Sequence, residues 1–516
     1  MTPHEILEQK LAKCLEKYEI VIGLEVHAQL LTHTKAYSSD PNEYGSLPNT
    51  NVSVITLAHP GTLPKCNKKV LEYAIKMGVA CGCDITEYNI FDRKNYFYPD
   101  LPKGYQLSQY DQPFCYDGWL EVEGEKVLIT RIHLEEDTGK SVHMTNPDRT
   151  LLDFNRAGTP LMELVTEPTI KDAAQAKKFG QLYQQILRYL NISDADMEKG
   201  QMRCEANISV QEQGAWEYKD GLILATKKNH PLNAKVEVKN INSFRAMERA
   251  INFEVHRQTA LLEKNEKIAA ETRGWDENKS QTVSQRIKET AADYRYFPEP
   301  DIPPFRIDDT LLAKLQAELP ELPNEKKMRF IREYGLQDKI AEIIVNDKAL
   351  ADWTEHVISE LDAWIEANED EANRQEKRLA KTATFWITGE LYKHLNIDNK
   401  KISDLKMTAE NFAELICLMY QDKITASAGQ KILEKMYSDG GDPTDIMIEM
   451  GLEQMDNTAE METIVKKIIA DNAPQVEQYH AGKTSVFQFF VGQVMAATRG
   501  KANPKTVKEL LEKFLK

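Results

Sequence analysis

Residues 297–304 read FPEPDIPP, four prolines in eight positions, and no other feature limits how this chain can fold as strongly. Proline has no N–H for a helix or a ladder and pushes its predecessor out of the helical region, so no regular element can run through the stretch. It predicts a domain exit, and the patterns on either side of it differ. Before it, β-branched alternation marks strands over Tyr18–Leu30, Lys126–Glu136, Met202–Val210 and Lys235–Ile241, with helices over Lys171–Leu190 and Ser243–Glu266. After it, Leu311–Glu318, Asn324–Tyr334 and Lys348–Glu366 carry helical periodicity, and a last group of short amphipathic helices begins near Met407. The expectation is an α+β chain, with a mainly antiparallel sheet domain over 1–295, an all-helical domain over 296–406 and a helical tail over 407–516. Three domains also suit 516 residues at about 150 per domain.

Composition removes several classes of function. The apolar stretch Val486–Ala497 is broken by Gln488, Gly492 and Gln493 and falls short of the ~20 residues a membrane span needs, so no span is expected. The first twenty residues form a mixed-charge helical pattern without a signal-peptide apolar core, which makes a cytoplasmic protein the expectation. Seven cysteines, an odd number, include no C-x-x-C pair, which argues against a disulfide framework or a four-thiolate zinc site. A net charge of −16 repels phosphates overall, so any nucleic-acid contact must be local.

Alternation divides each strand into a core side and a working side. Ile22, Leu24, Val26, Ala28 and Leu30 oppose Glu25, His27 and Gln29; Met202, Cys204, Ala206, Ile208 and Val210 oppose Arg203, Glu205, Asn207 and Ser209; Val236 and Val238 flank Glu237, with Lys239 continuing its face. A half-solvated sheet would explain any one strand. The choice of Glu, His and Asn over β-formers such as Thr, repeated across strands, points to a polar concavity. In HLEEDTGK, His133–Lys140, three consecutive acids stand at a strand end. They fit either a turn rim or, together with Glu25, His27 and Glu237, the oxygen surroundings of magnesium or manganese with bound phosphate. The runs 92–109, 153–168 and 293–304 set Arg and Lys beside Tyr, as structural loops do and as sites that hold phosphate and stack a nucleotide do. AGKTS at 481–485 has Glu477 where the first P-loop glycine would stand, and dinucleotide, zincin and serine-hydrolase motifs are missing.

The runs VIGLEVHAQL, DRKNYFYPDLPKGYQLSQ, RIHLEEDTGK, DFNRAGTPLMELVTEP, EVKNINSF and DYRYFPEPD, with the closing FFVGQVMAATRGKANPKTV, resemble the B subunits of glutamyl/aspartyl-tRNA amidotransferases and follow that family's order. The resemblance implies a cradle-shaped catalytic domain followed by helical domains, the last YqeY-like. It implies ATP-dependent amidation of glutamate or aspartate on a misacylated tRNA. It also implies partners, an amidase-type A subunit that releases ammonia from glutamine and a small C subunit, in a heterotrimer.

The family's metal and phosphoryl-transfer residues fall on Glu25, His27, Glu135 or Glu136, and Glu237, with magnesium assigned to Glu25, His27, Glu136 and Glu237. Glu205 stands where the family usually has Asp, which leaves its role open. Arg93, Lys94, Tyr96, Tyr98, Asn155, Arg156, Arg203, Asn207, Lys239 and Arg295 are the expected substrate and nucleotide contacts, and Arg499, Lys501 and Lys505 the expected tRNA contacts. Relatives with a cysteine-pair zinc loop differ from this chain, which reads AYSSD at 36–40 and NVSVIT at 51–56, so no zinc is expected. The alternative reading is a non-catalytic tRNA-binding or assembly subunit that merely retains a polar sheet.

Overall fold

The computed structural model of the chain describes residues 15–144, 149–219, 221–227, 231–287, 294–370, 376–454, 458–498 and 500–515. Two compact units divide between Leu322 and Pro323. The first is built on one nine-stranded sheet, with β1 (Tyr18–Gln29), β2 (Asp84–Ile85), β3 (Cys115–Val122), β4 (Glu125–Glu136), β5 (Pro160–Thr166), β6 (Met202–Glu212), β7 (Val236–Ile241), β8 (Glu271–Asp276) and β9 (Gln281–Ile287) in the spatial order β9-β8-β7-β6-β1-β5-β4-β3-β2. Neighbours run antiparallel except β7 and β8, which are parallel and are therefore joined by a crossover helix instead of a hairpin.

Strand β1 lies between β5 and β6, and its alternation is the one its residues dictate: Ile22, Leu24, Val26 and Ala28 are buried while Glu25, His27 and Gln29 are half-buried on the other face. Helices α1 (Lys68–Ala80), α2 (Ala173–Tyr189) and α3 (Phe244–Glu263) add their apolar residues to the same core. Fully burying a side chain the size of Leu24 contributes about 1.5–3 kcal/mol. Helix α2 starts where the Asp172 carboxylate accepts from Gln175 N, and α3 where the Ser243 hydroxyl accepts from Ala246 N. They approach closely because α2 carries Gly180, whose missing Cβ would lie 2.8 Å from the Phe244 ring.

The first unit runs past residue 295, where its end was expected. Phe297–Pro298 pairs with Asp92–Arg93 and Phe305–Arg306 with Tyr88–Asn89, short edge pairings in which proline's missing N–H is tolerated. Ile302, Ile307 and Leu315 then join the sheet domain's core. The second unit is helical, with one core gathered from Phe330–Leu452 and another from Met461–Leu515. The expected boundary at 406/407 falls inside the first of these, where the Trp353 ring meets Phe412 edge-on with centroids 5.2 Å apart. Among the described residues no helix is long and apolar enough to cross a membrane.

Candidate functional site

The sheet face opposite the helices is the floor of a cleft of about 410 Å³. Alternation brings to it Glu25 and His27 from β1, Glu205 and Arg203 from β6, Glu237 and Lys239 from β7, Glu163 from β5, and His133 and Glu135 from β4. Strand register decides who meets whom. Glu25 lies opposite Glu205, His27 opposite Arg203 on one side and Glu163 on the other, Glu163 opposite His133, and Glu237 opposite Asn207. The short strands Asp92–Asn95 and Tyr105–Ser108 pair beside the floor and bring Lys94, Gln106 and Ser108 to it. Tyr96, Tyr110, Tyr294 and Tyr296 complete the cleft, Tyr110 and Tyr296 stacked with centroids 4.3 Å apart.

Carboxylates directly opposed across a ladder repel one another. Ligand oxygens of Glu25, Glu205 and Glu237 nevertheless lie within 4.8 Å of each other. Lys239 offsets part of that charge, its Nζ 2.7 Å from Glu205 Oε2 and 3.1 Å from Glu237 Oε1. The rest falls on Glu25, where burial and then the nearby Glu163 push the carboxyl up to about 7. A second chain of charges continues across the floor. His27 Nε2 lies 3.1 Å from Glu163 Oε2, and His133 Nε2 lies 3.4 Å from that oxygen and 3.5 Å from Glu135 Oε1. Burial disfavours an imidazolium, but Glu163 outweighs it and raises His27 to about 9, and His133 also rises. Between two such rings Glu163 is held well below the usual carboxylate range despite its burial. Burial likewise works against Glu135, yet Lys94 at 3.1 Å and its neighbours bring it down to about 2. The Nδ1 atoms of His27 and His133 are buried with no hydrogen-bond partner among the described residues. Three clustered carboxylates make a hard, oxygen-only donor set of the kind magnesium takes, whereas the sets Glu25–His27–Glu163 and His133–Glu135–Glu163 mix nitrogen with oxygen.

Of the residues expected at the site, Glu25, His27, Glu135, Glu205, Glu237, Lys94, Tyr96, Arg203 and Lys239 line this one cleft. Glu136 does not. It is one residue out of phase, and its buried carboxylate takes Lys103 Nζ and Leu107 N (2.9 Å), on the side of Tyr37 and Gly158. Glu136 thus lies apart from Glu25, His27 and Glu237, the residues with which it was expected to hold magnesium. Arg93 is taken by Glu299 at 2.6 Å and Asp301 at 3.0 Å, and Asn155 ties loops by accepting from Asn51 N and donating to the Leu47 carbonyl. Arg156 reaches the rim through Asp137, which also holds Arg203 at 3.2 Å. Tyr98 is exposed and edge-on to Tyr96, and Arg295 is exposed. Lys501 is half-buried and Lys505 exposed beside the Asn503 cap of the last helix, while Arg499 lies outside the described residues. The stretches 36–40 and 51–56 meet at Asp40, whose Oδ2 accepts from Ser38 Oγ and Ser53 N and Oγ, each at 3.0 Å, and from Thr56 Oγ1. Sequence reasoning missed Glu163 and His133 as floor residues, and counted Asp137 only among the three acids of HLEEDTGK. The signal was present in LMELVT, where a lone Glu flanked by Met162 and Leu164 must face away from the core.

Residues 20–313 match the GatB/GatE catalytic domain family, and residues 368–515 match the GatB domain family. The chain is 43% identical over 504 residues to the B subunit of the aspartyl/glutamyl-tRNA(Asn/Gln) amidotransferase of Persephonella marina, a match covering 97% of this chain and 100% of that protein. It is 42% identical to the protein of the same name in Thermodesulfovibrio yellowstonii, with the same coverage, and 40% identical over 514 residues to that of Synechococcus elongatus, covering 97% and 98%. These matches span both compact units and all the floor strands, so the chain belongs to the family of aspartyl/glutamyl-tRNA(Asn/Gln) amidotransferase B subunits.

Proposed function

We propose that the cleft uses ATP to activate the side-chain carboxylate of glutamate or aspartate on a misacylated tRNA, after which ammonia converts it to the amide. A free carboxylate resists ammonia because oxide would have to leave. Attack of its oxygen on the γ-phosphorus, with departure of ADP, gives an acyl phosphate; ammonia then attacks the acyl carbon, loses a proton and expels phosphate. The observation that carries this reading is the convergence of Glu25, Glu205 and Glu237 with Lys239 on one polar floor.

In this reading those three carboxylates hold magnesium, with His27 at its edge, and the ion when bound neutralises phosphate charge. Lys239 and Lys94 can shift from their carboxylates to phosphoryl oxygens, while Arg203 orients the substrate. Glu163 fixes both imidazoles, so His27 and His133 present donors in set positions. The rings of Tyr96, Tyr110, Tyr294 and Tyr296 offer faces for the nucleotide that carries the amino acid.

Ammonia would come from an amidase-type A subunit, with a small C subunit completing a heterotrimer in the cytoplasm. The chain's thiols support an external source. Burial pushes Cys66, Cys83, Cys204 and Cys417 up to about 12, and Cys81 and Cys115 well above the ordinary value, so among the described residues no cysteine is a poised thiolate nucleophile. Lys501 and Lys505, with Arg499 in the same run, would meet tRNA phosphates. The test is reconstitution with the A and C partners and each misacylated tRNA in turn. Amide formation that requires ATP, and that ammonium salts sustain without the A subunit, is expected; tRNA binding without ATP-dependent amide formation would leave the chain an assembly subunit.

A further inference from the structure

Charge in the cleft is matched cation to anion except at one side chain. Lys94 faces Glu135, Lys239 faces Glu205 and Glu237, Arg203 faces Asp137, and His27 and His133 share Glu163. Arg131 also lines the cleft, on the face of β4 that carries His133 and Glu135. No carboxylate among the described residues pairs with it, and its buried Nε has no hydrogen-bond partner there. Register explains the isolation. Its neighbours across the ladders are Val165 on β5 and Tyr116 on β3, and the first acid along that row is Glu25, one strand beyond Val165 and so about 10 Å away at the backbone. A guanidinium does not shed its proton, and a buried donor left unpaired costs stability, so the position favours an anion that enters from solvent.

The proposed reaction brings two anions into the cleft, the phosphates of ATP and the side-chain carboxylate that attacks them. The cations assigned to phosphate stand apart from Arg131, Lys239 on the far side of Glu25 and Lys94 beside Glu135, further along β4. Arg131 is left for the carboxylate, whose two oxygens match the parallel N–H pair of a guanidinium edge. The apolar Val165 next to it suits the methylenes of the same side chain. We infer that Arg131 holds the side-chain carboxylate of the amino acid on the misacylated tRNA and so separates substrate from amidated product. The inference rests on the reading of the floor as the activating site. Discrimination follows from donors and acceptors. A guanidinium only donates, so an amide, with NH2 in place of one oxygen, sets donor against donor and loses both the second hydrogen bond and the charge.

The test uses the assembled amidotransferase with Arg131→Met, which keeps an apolar stem, and with Arg131→Lys, which keeps the charge without the fork; unchanged melting checks folding. In the absence of ATP, the wild type should bind misacylated tRNA about tenfold more tightly than the same tRNA carrying the amide, the effect of one charged fork. Arg131→Met should bind the two alike, and Arg131→Lys should lose most of the preference. In turnover the KM for misacylated tRNA should rise about tenfold in Arg131→Met while the KM for ATP stays unchanged. A preference kept in full by either variant, or a rise confined to the KM for ATP, would overturn the inference. Failure of the wild type to amidate with ATP would instead overturn the functional reading beneath it.

Discussion

Glu135 and Glu136 are chemically identical neighbours whose side chains go to opposite faces of the sheet, and that difference is testable. Glu135→Gln, which removes the partner of Lys94 on the cleft floor, should reduce ATP-dependent phosphoryl transfer at least a hundredfold while the fold persists. Glu136→Gln should leave phosphoryl transfer within about threefold, because its contacts are Lys103 and Leu107 N. Single-turnover phosphate release on misacylated tRNA with ammonium present measures both, and equal losses would refute the facing assignment. The phase was legible in Ile132 and Leu134, which set the core side and leave His133 and Glu135 on the other. The acids themselves misled, since a buried glutamate on the core side is unexpected until Lys103 and a backbone N–H are seen to satisfy it.

Lys35 supplies a pH test at the same scale. Its ammonium is buried and donates to the Asn51 carbonyl at 2.6 Å, and burial lowers it from 10.5 to about 8. Between pH 8 and 10.5 the unfolded chain binds more protons than the native one, so this group adds stability as pH rises through that window. Below pH 8 its cost is constant, at about 3 kcal/mol. The melting temperature of the wild type should therefore gain on that of Lys35→Met between pH 8 and 10, and parallel curves would contradict the assignment.

At the scale of elements, close approaches that only glycine permits hold the sheet domain together. Gly118 in β3 lies where a Cβ would meet Cys83 Sγ and stand 2.9 Å from the Cys81 carbonyl oxygen. Gly118→Ala should cost about 1–3 kcal/mol by overpacking, read as a lower melting temperature of the sheet domain; an unchanged value would show that the β3 contact yields freely. Long amphipathic strands and helices were legible because their apolar periods are sustained, as in Met202–Val210 and Ser243–Glu266. The short strands beside the floor were not, because two to four residues carry no period, and their pairing depends on partners far apart in sequence, such as Phe297 and Arg93. The parallel pairing of β7 with β8 was also hidden, being set by where α3 returns the chain and not by either strand's composition.

At the scale of the whole molecule, the hydrophobic cores predict where the chain can be cut. Ending it at 406 removes Phe412, Leu415 and Ile416 from the core that also holds Leu350 and Leu361, so the middle helices should lose cooperative melting; ending it at 454 should leave that core folded. Retained melting in the shorter form would contradict the core assignment. Charge is segregated along the chain, with seven basic residues against three acidic over 475–516 in a protein of net charge −16. Removing 455–516 should weaken tRNA binding and flatten its salt dependence by about one to three counterions, measured by filter binding. The most direct test of the central claim follows oxygen. With ¹⁸O in the side-chain carboxylate of the misacylated tRNA, the assembled enzyme should deliver one labelled oxygen to inorganic phosphate for every amide formed. Label absent from phosphate at full amide yield would exclude an acyl phosphate and with it the role given to the carboxylate floor.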